Sequence, residues 1–179
     1  DIVVTDVVDG VGTVLIHLQR RDGRLADFRD IAFEVDPDAQ QPLDQPTNRG
    51  LTIEDFNGDG LNDIVVLSES GTLILYSQHF ENTRVVYERS EILQIDGAAA
   101  FEIEDIDGDG THDLVVAAAA SVEGRAGAAV HVFRNAGLGS VGTGPAVTIE
   151  YPEANPKSVA TGDLDGDGRK DITVGHVEE

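Results

Sequence analysis

The stretch "DFNGDGLNDIVV", residues 55–66, sets three aspartates and two asparagines among glycines and then runs straight into apolar chain. The arrangement returns as "DIDGDGTHDLVV" at 105–116 and "DLDGDGRKDITV" at 163–174. A turn needs one Asp or Asn. Four in each of three copies, at the same spacing, point to a local solution with its own chemistry.

The copies also measure the chain. Aligned on the aspartate that opens each apolar run, Asp1, Asp63, Asp113 and Asp171 stand 62, 50 and 58 residues apart. Between them the signals are those of short strands. The middle unit reads "LTIE", "DIVVLS", "TLILYSQ" and "TRVVYER", and the next reads "FEIE", "DLVVAAAA", "AAVHVFRN" and "PAVTIEY". The opening unit supplies "DIVVT", "GTVLIHLQ" and "DIAFEV". Helical periodicity is weak throughout, and the proline-containing stretch 36–50 reads as a surface connection.

The expected fold is therefore all-β: four-stranded antiparallel units stacked as the blades of a β-propeller, each covering its neighbour's apolar face. The units divide as a partial blade over 1–48 with its last three strands, complete blades over 49–97 and 98–156, and a partial blade over 157–179. Both ends cut a repeat, which reads as a segment of a longer chain. About three blades fall short of a ring of typically four to eight. The expected partners thus include remaining blades or further copies of the chain, joined through strand edges.

Charge narrows the partners further. The 179 residues carry a formal charge of −22, with 12 basic residues against 34 acidic ones. Phosphate binding needs basic patches, so neither nucleic acid nor an anionic membrane surface is expected as a partner. No apolar run is long enough to suggest membrane insertion. Without cysteine there is no disulfide framework, no thiolate zinc site and no cysteine nucleophile. Eleven of the 34 acidic residues lie in the three repeated loops, so the excess is local and asks for a local counter-charge.

Counted from its first aspartate, each loop offers side-chain oxygens at positions 1, 3, 5 and 9. These are Asp55, Asn57, Asp59 and Asp63; Asp105, Asp107, Asp109 and Asp113; Asp163, Asp165, Asp167 and Asp171. Alternate oxygens on a tight loop converge, and position 7 adds a backbone carbonyl from Leu61, Thr111 or Arg169. A flexible all-oxygen set suits Ca²⁺, which takes about six to eight oxygens at about 2.3–2.6 Å, better than the strictly octahedral Mg²⁺. Three Ca²⁺ sites are expected. An EF-hand is excluded, because position 12 is Val66, Val116 or Val174 inside a β-branched run, with neither the bidentate Glu nor a helix. Cation-free, each loop would crowd like charges at a cost. The ion's expected role is therefore structural, and the weak affinity usual for extracellular modules favours a place outside a cell, at the cell surface or in the periplasm.

The pattern "DxDGDGxxDhvv", with these strands and this repeat length, resembles the FG-GAP/VCBS repeat family of calcium-loop β-propellers. That family includes the integrin α-subunit head. The resemblance implies a propeller of about seven blades with the calcium loop joining the first two strands of a blade. The family's "FG" is absent before the loops, and "LSES", "AAAA" and "GHVE" stand where its "GAP" would follow. "RRDGRLADF" is similar to the VCBS turn, which favours that subgroup.

Other features carry less. "GLGSVG" (137–142) matches GxGxxG without a helix to receive a phosphate and reads as a blade loop. His17 and His131 fall in apolar strands, His112 sits at loop position 8 facing away from the ion, and His79 and His176 show no partner. "EIED" before the second loop reads as a charged edge strand. With no catalytic cluster in view, the chain is expected to be no enzyme but a calcium-stabilised binding or scaffold module for a protein or glycan ligand. The alternatives are the propeller part of a carbohydrate-active enzyme such as a polysaccharide lyase, or a purely structural assembly unit.

Overall fold

The computed structural model describes residues 2–8, 11–24, 31–34, 46–119, 127–151 and 155–177. Asp1, the end of the "RRDGRLADF" turn and most of the 36–50 connection lie outside them. Thirteen strands are described, and no helix. They form four antiparallel sheets in chain order. The first holds β1 (Ile2–Val8), β2 (Val11–His17) and β3 (Ile31–Glu34). The second holds β4 (Pro46–Glu54), β5 (Asp63–Ser68), β6 (Thr72–Glu81) and β7 (Arg84–Gln94). The third holds β8 (Ala98–Glu104), β9 (Asp113–Ala118), β10 (Ala129–Phe133) and β11 (Val147–Glu150). The last is the pair β12 (Asn155–Gly162) and β13 (Asp171–Val177).

The start of the second sheet departs from the sequence reading. The 36–50 connection ends earlier than expected, because β4 begins at Pro46. The proline stands at the strand's first residue, where its missing N–H costs no ladder bond, and the register shifts between Pro46 and Leu51.

The unbroken apolar runs of β5 and β9 follow from burial on both faces, which removes the usual alternation of apolar and polar residues. Ile64 and Val66 of β5 pack with Ile74 and Tyr76 of β6 against Val14 and Ile16 of the first sheet. The alternate residues Val65, Leu67, Leu73 and Leu75 face the other way, onto Phe101, Ile103, Leu114 and Val116 of the third sheet. Val115, Ala117, Val130 and Val132 in turn meet Val159, Ile172 and Val174 of the last. Each middle sheet therefore buries both faces against its neighbours. The first strands of these sheets also gather, β4 beside β8 and β8 beside β12.

Crossings between sheets are tight. In the turn from β7 to β8, Gly97 adopts φ +77°, and a side chain there would run into the Ala119 carbonyl. Ala119 N–H donates back to the Gly97 carbonyl at 2.8 Å.

Candidate metal centre

The three loops join β4 to β5, β8 to β9 and β12 to β13. Each is wound by its own first aspartate. Asp55 Oδ1 accepts from Gly58 N and Asp59 N at 2.8 and 3.0 Å, and its Oδ2 accepts from Gly60 N at 2.9 Å. Asp105 repeats this with Gly108, Asp109 and Gly110, and Asp163 with Gly166 and Gly168. Holding those N–H groups around one carboxylate requires left-handed backbone at both glycines, φ +77° and +86° in the first loop.

The remaining positions cap the chain two residues on. Asn57, Asp107 and Asp165 accept from the N–H of Asp59, Asp109 and Asp167. Position 5 does the same for position 7: Asp59, Asp109 and Asp167 each accept from the N–H of Leu61, Thr111 or Arg169 at 2.8 Å. Thr111 Oγ1 also donates to Asp109 Oδ1 at 2.6 Å, and this hydroxyl is the main reason the Asp109 carboxyl sits below the ordinary range.

Position 9 ties each loop to its sheet. Asp63, fully buried, accepts at Oδ2 from Phe56 N and Asn57 N and at Oδ1 from Gln78 N of β6. Asp113, also buried, accepts from Ile106 N and from Asn135 N just beyond β10. Burial pushes the carboxyls of both residues up. The backbone N–H donors oppose that rise, and nearby carboxylates add to it. Asp171, less buried, accepts from Leu164 N at 2.9 Å.

Asp105, Asp107 and Asp113 each bring a carboxylate oxygen within 4.8 Å of the others, and so do Asp163, Asp165 and Asp171. Two ligands about 2.4 Å from one ion lie at most about 4.8 Å apart, so this spacing fits a hard divalent cation. With no nitrogen or sulfur donor in either cluster, softer metals are disfavoured. Position 5 stands outside both clusters. In the first loop Asn57 replaces the carboxylate at position 3, and its Nδ2 donates to Asp59 Oδ2 at 3.1 Å. Among the described residues that loop forms no carboxylate triplet.

Cationic side chains offset the charge only in part. Arg134 Nε lies 3.1 Å from Asp107 Oδ2, and Lys170 Nζ lies 3.0 Å from Glu104 Oε2.

The histidines divide. His112 turns from its own loop and brings Nδ1 within 3.3 Å of the Asp55 carbonyl in the neighbouring one. His131 meets Thr148 Oγ1 of the edge strand β11 at 3.1 Å, and burial holds its pKa down. His79, which the sequence left without a partner, lies 3.9 Å from Glu81. The "GLGSVG" segment forms the β10–β11 loop, beside an Asn135–Val141 bridge.

Sequence reasoning missed Gln78 and Asn135, whose backbone N–H groups hold the position 9 aspartates. They follow those aspartates by 15 and 22 residues, and that unequal offset leaves no spacing signal.

Stacked antiparallel sheets, with an oxygen-rich loop before the second strand in three of them, define an all-β repeat protein. A family model described as the FG-GAP-like repeat matches residues 55–116 and 105–174, together well over half of the sequence. The chain belongs to the FG-GAP-like repeat family. No curated protein gives a significant match.

Proposed function

We propose that the chain is a calcium-stapled segment of a β-propeller, a non-catalytic module that presents its surface to a protein or glycan partner outside the cell. The observation that carries this reading is the recurrence of an oxygen-only carboxylate cluster at the same place in adjacent sheets. The proposed ligands are the side chains at positions 1, 3, 5 and 9 with the position 7 carbonyl: Asp55, Asn57, Asp59, Leu61 and Asp63; Asp105, Asp107, Asp109, Thr111 and Asp113; Asp163, Asp165, Asp167, Arg169 and Asp171. When bound, the ion supplies positive charge where the chain has assembled carboxylates.

The chain's own groups do the rest. Asp55, Asp105 and Asp163 wind the loops, and Gln78 and Asn135 fix two of the position 9 carboxylates against the sheets. An ion that binds the wound loop and not the open chain stabilises the fold by about 2.7 kcal/mol at a hundredfold excess over its dissociation constant. Modules of this kind bind at roughly 10⁻⁴–10⁻³ M, a range suited to calcium-rich surroundings. The gathering of β4, β8 and β12 supports blades set about an axis, with the ring completed by further blades or by other copies.

Melting curves with calcium, magnesium or chelator, run beside light scattering, test the proposal. Millimolar calcium is expected to raise the melting temperature well above its value in chelator, and more than magnesium does. Curves that coincide in calcium and chelator would overturn it. Glycan-array binding then tests the partner class.

A further inference from the structure

Asn135 is buried, 4% exposed, between two loops that belong to different sheets. Its side-chain Nδ2 donates to the Phe56 carbonyl of the first loop at 2.7 Å and to the His112 carbonyl of the second at 2.9 Å. Its Oδ1 accepts from Gly137 N at 3.0 Å. The amide can face only one way here, since its nitrogen meets two carbonyls and its oxygen meets an N–H. Its own backbone N–H holds Asp113 Oδ1.

Phe56 is gripped on both sides of its peptide chain. Its N–H donates to Asp63 Oδ2 at 3.2 Å while its carbonyl receives Asn135. A continuous path therefore runs from the Asp63 carboxylate through Phe56 and Asn135 to the Asp113 carboxylate. Two further contacts reinforce it: His112 Nδ1 reaches the Asp55 carbonyl, and the β10–β11 loop lies so close that a side chain at Gly139 would come within 3.1 Å of Asn57 Cβ. Between the second and third loops the described residues show a weaker link, the half-exposed ion pair of Lys170 with Glu104.

Unwinding either of the first two loops pulls on Asn135 and threatens to leave the buried Phe56 carbonyl unpaired, so order in one favours order in the other. We propose that Asn135 couples the two loops, so that 55–63 and 105–113 take up calcium cooperatively while 163–171 fills on its own. This deepens the calcium reading above and rests on it. Asn135 is a positioning residue, and the coupling is reciprocal: whichever loop fills first tightens the other.

The test is amide hydrogen exchange followed through a calcium titration to about 10 mM, well above the roughly 10⁻⁴–10⁻³ M expected. The probes are the loop N–H groups of Gly58, Asp59 and Gly60, of Gly108 and Gly110, and of Gly166 and Gly168. In the unmodified chain the first two sets are expected to gain protection with one shared midpoint. Disabling the second loop with Asp107→Ala and Asp109→Ala, which leaves Asn135 in place, is expected to raise the first loop's midpoint at least about fivefold. The third loop is expected to move less than about twofold. Asn135→Ala is expected to separate the two midpoints, and the Asp107/Asp109 pair decides the matter even where that variant folds poorly. A first-loop midpoint that stays put or falls when the second loop is disabled overturns the coupling and leaves the calcium reading standing. Absence of protection in every loop of the unmodified chain overturns both.

Discussion

The backbone N–H of Gln78 in β6 donates to Asp63 Oδ1 at 2.9 Å, joining the end of the first acidic loop to a strand fifteen residues further on. The same carboxylate takes the N–H groups of Phe56 and Asn57, so one buried side chain satisfies three donors. Asp63→Ala strands all three. Orphaned buried donors cost about 1–3 kcal/mol, and urea unfolding of this variant is expected to show a loss of that order in chelator as well as in calcium. Asp59→Ala, on the exposed rim, is expected to reduce the calcium response while leaving the chelator midpoint nearly unchanged.

Asn57 separates charge from ligation. Asn57→Asp removes the amide bond to Asp59 and adds a carboxylate beside Asp55 and Asp59. Without a cation the change is expected to cost about 0.5 kcal/mol, a fall of about 1–2 °C in melting temperature. In millimolar calcium the sign reverses, because the first loop then carries as many carboxylates as the other two. Paired melting curves in chelator and calcium read the crossing; curves displaced in the same direction in both would count against the loop as an ion site.

Gly97 and Gly23 both hold positive φ, but only Gly97 is crowded. Gly97→Ala places a methyl group against the Ala119 carbonyl at the crossing between sheets, and a loss of about 3 kcal/mol is expected. Gly23→Ala meets nothing within 4 Å. Its expected cost is the left-handed penalty alone, about 1 kcal/mol. Chemical denaturation of the two variants side by side checks the contrast.

Glu102 of β8 has its carboxyl pushed above the ordinary 4.5, first by burial and then by Glu104. A raised folded value means that its contribution to stability is fully present below 4.5 and is lost as pH climbs through the folded value. Glu102→Gln keeps the shape without the charge. The variant is expected to match the parent in acid and to melt higher at neutral pH, the gap opening as the carboxyl ionises. Equal melting temperatures across the whole range would show that the burial of Glu102 carries no penalty.

Much of the fold was legible because burial leaves a compositional trace. The runs from Ile64 to Leu67 and from Leu114 to Ala117 have no polar interruption because both faces of β5 and β9 are covered. The loops were legible for a different reason, since every bond that winds Asp55 around Gly58 and Gly60 closes within nine residues. The start of β4 was obscured by prolines that usually mark connections, although Pro46 occupies a strand position that tolerates the missing N–H. His79 lacked a visible partner because its contact with Glu81 depends on two alternate residues of one strand lying on the same face.

Local chain chemistry determined the shape of each acidic loop: an aspartate that gathers two or three N–H groups, and glycines able to turn left-handed, carry that instruction wherever they occur. Tertiary structure decided which loops are sealed and which are joined. Asp63 and Asp113 are buried and also held by the N–H groups of Gln78 and Asn135, in or just beyond another strand of the same sheet, while Asp171, built from the same motif, keeps more exposure. Asn135 reaches Phe56 across 79 residues of sequence. Such a contact has no local signature, because it depends on how two separately folded sheets come to stack.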